Sequence, residues 1–519
     1  MNSLNAKFPK YMVYCVQIAC LGSFSNGWVI GSPNIPGEIT HNCPNGNAHV
    51  NNSAWPDCLP MNNGLWGFAV ASFCVGGLIG GLTAGNLQTK VGRKRAIMLN
   101  NLGYIIGGLL ISVSVHESMF IIGRILCGLG CGMGSLSIPT YIGEVSTIKA
   151  RGAMGTCNQF FIVLGILLSS VIGLPLANVP LWRLNFAIVC LPAIAQFFLM
   201  NTCVETPRYL ISVNHIEEAR QSLQKLRGNN YNIDREFYDM VEGYYGTAAA
   251  QSMLDYQKPP ATEEEKQTEK EAYITKSGET KEHTFDATHA EDNESTDEQV
   301  PVTQRDTMSI IQIFTDPVIR RITLTVVFLH AFQQLVGINA VMYYSVTIFV
   351  LAFDANMAKY MAIVTTVVNF VMTLVAVAMI DRMGRRPLLL IANAGACLFS
   401  VLLVVGYVYT IPALLVVSVF LYVASFAIGI GPIPWLLTSE LTPTYASSAV
   451  AAVATGVNWA MNFLIGQLFP VIFGRIEGYS FAIFAIVSLL AFIFTFTFLP
   501  ETKGRSLEAI VRGFEKHRR

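Results

Sequence analysis

Twelve apolar runs, each long enough to cross a bilayer as a helix of about 20 residues, leave this chain few possible folds. They lie near 11–33, 64–87, 96–115, 120–143, 153–176 and 183–203, then near 320–350, 357–380, 386–408, 413–438, 446–472 and 480–499. The residues are 52% hydrophobic and only 13% charged, where soluble domains carry roughly 25% charged residues. With a mean hydropathy of +0.47, the chain reads as an all-α, multi-pass membrane protein. The 34 basic and 34 acidic residues cancel, so nothing points to nucleic acid. The first run lacks a small-residue cleavage site and reads as a span that stays.

Basic residues set the orientation. No Lys or Arg occurs between Lys10 and Lys90, so the loop at 34–63 reads as outside. Arg93-Lys94-Arg95, Lys149, Arg151, Arg382, Arg385 and Arg386 fall on the other side, which places both termini in the cytoplasm. The outside loop carries an Asn51-Asn52-Ser53 glycosylation acceptor. It also holds Cys43 and Cys58, which can bridge if the loop meets an oxidising compartment. The other cysteines are scattered through apolar runs, with no spacing suited to a metal.

The run from 322 to 353 contains residues that lipid would reject: Gln333, Gln334, Asn339, Tyr343 and Tyr344. Side-chain amides in hydrocarbon cost several kcal/mol unless something polar meets them. Two readings stand side by side. The amides bind neighbouring helices as structural glue, or they line a water-accessible cavity for a neutral, hydroxyl-rich substrate. Gly337 and the following Ile-Asn leave room for a helix break.

Self-comparison then shows a repeat. Val91-Gly92-Arg93-Lys94 returns as Met383-Gly384-Arg385-Arg386, at an offset of 292. Glu144 returns as Glu440 and Glu205 as Glu501, each at an offset of 296. Two six-span halves in one orientation are the plan of the major facilitator fold. The repeated acids suggest state-dependent ion pairs among helix ends, holding the cytoplasmic side shut when the outside is open. The expected divisions are 1–204 and 308–500 for the halves and 205–246 for cytoplasmic amphipathic helices. An acidic, order-poor linker spans 247–307 and a cytoplasmic tail 501–519.

Several motifs together resemble the sugar porter family of the major facilitator superfamily, and within it the facilitative hexose transporters. They are Gly123-Arg124, Tyr141-Ile142-Gly143-Glu144 with Arg151-Gly152, and Glu205-Thr206-Pro207-Arg208 in the first half. In the second half they are Gln333-Gln334 with Gly337-Ile338-Asn339, Asp381-Arg382-Met383-Gly384-Arg385-Arg386, Gly431-Pro432-Ile433-Pro434-Trp435 and Pro500-Glu501-Thr502-Lys503-Gly504.

The resemblance implies hexose contacts at Gln159, Gln333, Gln334, Asn339, Asn369, Trp435 and Asn462, with Tyr343 and Tyr344 as outer gate residues. Trp459 is similar to a family tryptophan and reads equally well as packing. The implied cytoplasmic ion-pair network is Arg93, Glu144, Arg151, Glu205, Arg208, Asp381, Arg382, Arg385, Arg386 and Glu440. Amides donate and accept, which suits neutral hydroxyls.

Three departures stand out. Ala427 replaces a glutamate common in glucose facilitators, which puts glucose preference in doubt. Ser447 replaces the usual arginine after Glu440, which predicts a weakened second-half cluster. Val204 replaces the proline that opens its motif, a change expected to matter little.

Family symporters carry an aspartate in the first span near an arginine in the fourth. Here those positions are Asn26 and Arg124, and an amide cannot carry a proton. No Asp or Glu lies in any span away from its ends, so passive facilitation is favoured. His330, the other ionisable candidate, reads more simply as a packing residue. The expected function is uniport of a hexose, glucose first, by a functional monomer in the plasma membrane, with sugar and lipid bilayer as partners and no cofactor or metal. The alternatives are a sugar–proton symporter and a transporter-like sugar sensor. No enzyme site emerges.

Overall fold

The computed structural model describes residues 8–49, 55–147, 149–229, 231–246, 308–503, 510–511 and 513–514. The Asn51 acceptor, the 247–307 linker and most of the tail lie outside the described residues, as does the side chain of Asp381. The chain divides into two units, residues 1–231 with 307–519, and residues 232–306. Among its described residues the smaller unit contributes the helix Asp234–Tyr245.

Among the described residues of the larger unit, eleven helical stretches are long and apolar enough to cross a membrane. The last, Tyr445–Phe498, holds two helices separated by a short turn at Glu477–Tyr479. The first half comprises α1 (Lys10–Gly31), α2 (Asn63–Ala71), α3 (Phe73–Val91), α4 (Arg93–Ser112), α5 (Glu117–Val145), α6 (Arg151–Leu176), α7 (Trp182–Ala187) and α8 (Cys190–Leu199). Two short helices follow, α9 (Pro207–Ser212) and α10 (Ile216–Arg227). The second half comprises α11 (Pro317–Leu335), α12 (Ile338–Phe349), α13 (Ala355–Met383), α14 (Arg385–Val408), α15 (Pro412–Ser425), α16 (Ile433–Leu441), α17 (Thr444–Ile476) and α18 (Ser480–Phe498).

Local chemistry explains where these helices start and break. Asp316 caps α11 by accepting from the N–H groups of Val318 and Ile319 at 2.8 and 3.0 Å, and Pro317 fills the first helical position. Gly337 ends α11 with φ +97°, which a side chain would oppose. Between α15 and α16 a π-turn at Phe426–Ile430 leads into Pro432 and Pro434. The helical breaks therefore fall beside the amide residues.

Lipid offers no hydrophobic drive between helices, so close backbone approach supplies the packing. At the α3–α5 crossing, a Cβ on Gly76 would sit 1.9 Å from the Ile125 carbonyl oxygen, and one on Gly128 would sit 1.9 Å from that of Phe73. Gly128→Ala is therefore expected to destabilise the protein by about 3 kcal/mol or more, seen as lost monodisperse protein and a lower melting temperature. Gly85→Ala, whose nearest neighbour is Leu136 at 3.9 Å, is the control and should melt as the wild type does.

The end of the bundle carrying the 34–63 loop is tied across the two halves. Asn34 Nδ2 donates to Ser345 Oγ at 2.7 Å and its Oδ1 accepts from the Val346 N–H at 3.4 Å. Gln467 Nε2 donates to the Gly64 carbonyl at 3.1 Å. Cys43 and Cys58 form a disulfide in the loop. The buried Arg183 pins the same end by donating to the carbonyls of Ser112, Ser114 and Pro56.

Candidate functional site

The breaks bring amide side chains from three helices into one directed chain. Asn339 Nδ2 donates to Gln334 Oε1, and Gln334 Nε2 donates to Asn458 Oδ1 at 3.1 Å. Asn458 Nδ2 donates to Gln333 Oε1 at 2.7 Å. Gln333 Nε2 in turn donates to the backbone carbonyls of Ile430, at 3.1 Å, and Gly431. All four amides are buried. A bonded amide chain satisfies the desolvation cost that isolated amides would incur, and each member keeps spare donor or acceptor capacity for a hydroxyl.

Asn458 is the centre of this chain, and sequence reasoning did not single it out. The available signal was its placement in an apolar run one helical turn before Asn462. Asn462 itself accepts from the Tyr343 hydroxyl at 2.8 Å, and the Tyr344 hydroxyl donates to the Gly466 carbonyl at 2.9 Å. The Tyr343 ring meets Phe73 of the first half edge-on at 6.0 Å.

Trp435 is 40% exposed, with the edge of the His330 ring 4.6 Å away at centroid distance. Its indole thus remains uncovered beside a buried polar chain. His330 bonds Thr438 Oγ1 at 2.9 Å, and its ring Nδ1 lies 3.4 Å from Asn458 Nδ2. Trp459 lies over Gly77 and meets Phe73 edge-on at 5.9 Å. Asn369 is buried, and Gln159 of the first half is half-buried. Neither side chain joins the amide chain. The residues next to them, Phe160 and Phe370, meet across the halves with tilted rings at a centroid distance of 5.4 Å.

Arg124 is fully buried but does not bond Asn26. It donates to the carbonyls of Val29 and Val70 at 2.8 and 2.9 Å, and lies over the Phe73 ring at 4.8 Å. Asn26 Oδ1 is buried without a hydrogen-bond partner. The guanidinium is thus held by backbone oxygens and a ring face rather than by a side chain from position 26.

At the basic end the repeated motifs form matching clusters. Arg93 pairs with Glu144 at 3.0 Å, and Glu205 accepts from the N–H groups of Arg93 and Lys94 at 3.1 Å. Arg385 pairs with Glu440 at 2.8 Å, and Glu501 accepts from the N–H groups of Arg385 and Arg386 at 3.1 and 3.0 Å. The two glycines before these helices, Gly92 and Gly384, both have φ +93°, so the acids reach the helix starts through equivalent turns.

Both ion pairs lie within a half. They fasten helix ends inside each half. Glu440 accepts from two Arg385 nitrogens and from Thr502 Oγ1 at 2.6 Å, while Glu144 accepts from two Arg93 nitrogens through Oε1 and its Oε2 is buried without a partner.

Arg151, Arg208 and Arg382 are exposed, and Arg386 Nη2 donates to the Phe496 carbonyl at 2.6 Å. The paired acids differ in setting. Burial pushes the Glu205 carboxyl up against its N–H donors. Burial also acts on Glu501, but the N–H groups of Lys503, Arg385, Arg386 and Thr502 outweigh it and hold that carboxyl below its ordinary value.

Comparison with known proteins agrees with this architecture. The family model described as "Sugar (and other) transporter" matches residues 15–259 and 261–514. The chain is 34% identical to the solute carrier family 2, facilitated glucose transporter member 3, of Oryctolagus cuniculus, over 98% of this chain and 93% of that protein. It is also 34% identical to facilitated glucose transporter member 4 of Mus musculus, over 97% of this chain and 91% of that one. Among solved structures, the proton:xylose symporter XylE bound to 6-bromo-6-deoxy-D-glucose aligns with a TM-score of 0.70 and 25% identity, covering 97% of this chain and 99% of that one. A partially occluded inward open form of XylE from E. coli, at 24% identity and TM-score 0.67 over 96% of this chain and 100% of that one, shares the fold. With matched halves, broken helices at an amide cluster and near-complete alignment to these relatives, the chain belongs to the sugar transporter family of the major facilitator fold.

Proposed function

We propose that this protein carries hexose, glucose first, down its gradient by alternating access. The observation that carries the reading is the Asn339–Gln334–Asn458–Gln333 chain: four neutral amides, three of them flanking the α11–α12 break, in spans that hold no carboxylate away from their ends. Such a site offers donors and acceptors to hydroxyls without demanding charge. The half-exposed indole of Trp435 suits the apolar face of a pyranose. Gln159, Asn369 and Asn462 complete the sugar site, and Tyr343 and Tyr344 close it from the loop end.

Residues 1–204 and 308–500 rock as two halves, joined by cytoplasmic helices at 205–246 and the linker at 247–307. The basic end and both termini, including the 501–519 tail, face the cytoplasm. The tied loop end faces outside, where its disulfide and the Asn51 acceptor suit the secretory route to the plasma membrane. One chain suffices for transport, with no cofactor and no chemical step. Arg124 is held through Nη1 and Nη2 by the Val29 and Val70 carbonyls, and Asn26 cannot titrate, which supports uniport over proton coupling.

Uptake of labelled glucose into proteoliposomes, with and without an inward proton gradient, is the test. Equal uptake to equilibrium under both conditions is expected. Accumulation above equilibrium only with the gradient establishes a symporter, and binding without flux establishes a sensor.

A further inference from the structure

The two helix breaks have the same unmet need. In an α-helix the carbonyl of residue i accepts the N–H of residue i+4. For Ile430 that residue is Pro434, which has no N–H. For Val336 it is Ala340, whose N–H turns to the Gly337 carbonyl at 3.1 Å. Ile430 and Val336 are both buried, so water does not readily take the place of the missing donors.

Each missing donor comes from the other helix. Gln333, one turn before the α11–α12 break, donates to the Ile430 and Gly431 carbonyls at the α15–α16 break. Tyr422, one turn before the π-turn, donates through its hydroxyl to the Val336 carbonyl at 2.6 Å. Both capping side chains are buried, and both bonds cross between the same two broken helices.

We propose that the two breaks are latched to each other and move as one unit, with Gln333 and Tyr422 as reciprocal positioning residues. The consequence for transport rests on the reading of this amide chain as the sugar site. A hydroxyl that takes the Gln333 amide withdraws the donor from Ile430, and so loosens α16 at the moment of binding. Occupancy is then conveyed to both breaks through a single side chain.

Hydrogen exchange of the purified full chain, first without sugar, tests the latch. Gln333→Met and Tyr422→Phe are each expected to raise amide exchange about tenfold or more at both breaks, in segments 334–342 and 426–441, because each leaves a buried carbonyl without its donor and so eases local opening. Adding Pro434→Ala to Gln333→Met returns an N–H to position 434 and is expected to restore protection near the wild-type level. A purely structural role for Gln333 predicts no such rescue. Wild-type exchange in either variant, a change confined to one break, or failure of the rescue each overturns the latch.

Glucose is then added to the wild type while calorimetry follows binding. Bound glucose that raises exchange at both breaks supports the coupling, and bound glucose that changes neither overturns it. Absence of glucose binding, with the variants behaving as expected, supports the latch and overturns the sugar reading alone.

Discussion

Gln333→Ala is expected to cut glucose uptake by about 10- to 100-fold per molecule at the cell surface, with surface expression retained. The magnitude follows from the bonds removed. The Gln333 amide donates to two backbone carbonyls and accepts from Asn458. Losing one buried partner costs about 1–3 kcal/mol, and each 1.4 kcal/mol is about tenfold in an equilibrium.

Asn458→Ala should fall in the same range, since it removes the bonds to both Gln333 and Gln334. The double variant should lose less than the two single losses combined, because both act on one chain. Uptake per surface molecule unchanged in Gln333→Ala would sink the site assignment. A control such as Trp459→Phe reports packing on Gly77 instead, because its indole nitrogen is buried without a partner and makes no bond to lose.

What the sequence reveals here follows from how local each feature is. Apolar length writes each crossing into its own segment, and the paired glycines at 92 and 384 mark equivalent turns. Gly337 announces a break because only local backbone strain is at issue. The amides at 333, 334 and 339 stand out because lipid rejects them.

Their partner Asn458 does not stand out, since an asparagine in an apolar helix can meet any of several neighbours and only the fold selects one. Tyr422 is harder still. A tyrosine in an apolar run is ordinary, and its role depends on a carbonyl 86 residues away. The acids at 144 and 440 are legible as a repeat, and the resemblance puts Arg93 and Arg385 in their network, but neither says which arginine each acid meets. Whether an ion pair lies within a half or between halves is a property of packing, and so is the choice of Thr502 as a second donor to Glu440.

The tied loop end makes the strongest demand on the transport cycle. Asn34 and Ser345 lie on opposite halves with side chains 2.7 Å apart, and Asn34 also accepts from the Val346 N–H. If the halves must separate there for sugar to enter, a covalent link at these positions stops every cycle. Joining Asn34→Cys to Ser345→Cys with a short bifunctional methanethiosulfonate should abolish uptake almost completely, and a reducing agent should restore it.

Each single cysteine variant treated alike should retain its flux, as should the wild type. The native Cys15, Cys20, Cys74, Cys127, Cys131, Cys190 and Cys203 are buried, and Cys157 and Cys397 are partly so. The linked protein should still bind sugar from the basic end, because the amide chain lies beyond the link. Lost transport with retained binding identifies a gate. Full flux through the linked protein overturns the rocking of the two halves, since no substrate-sized path opens at an end that is covalently closed.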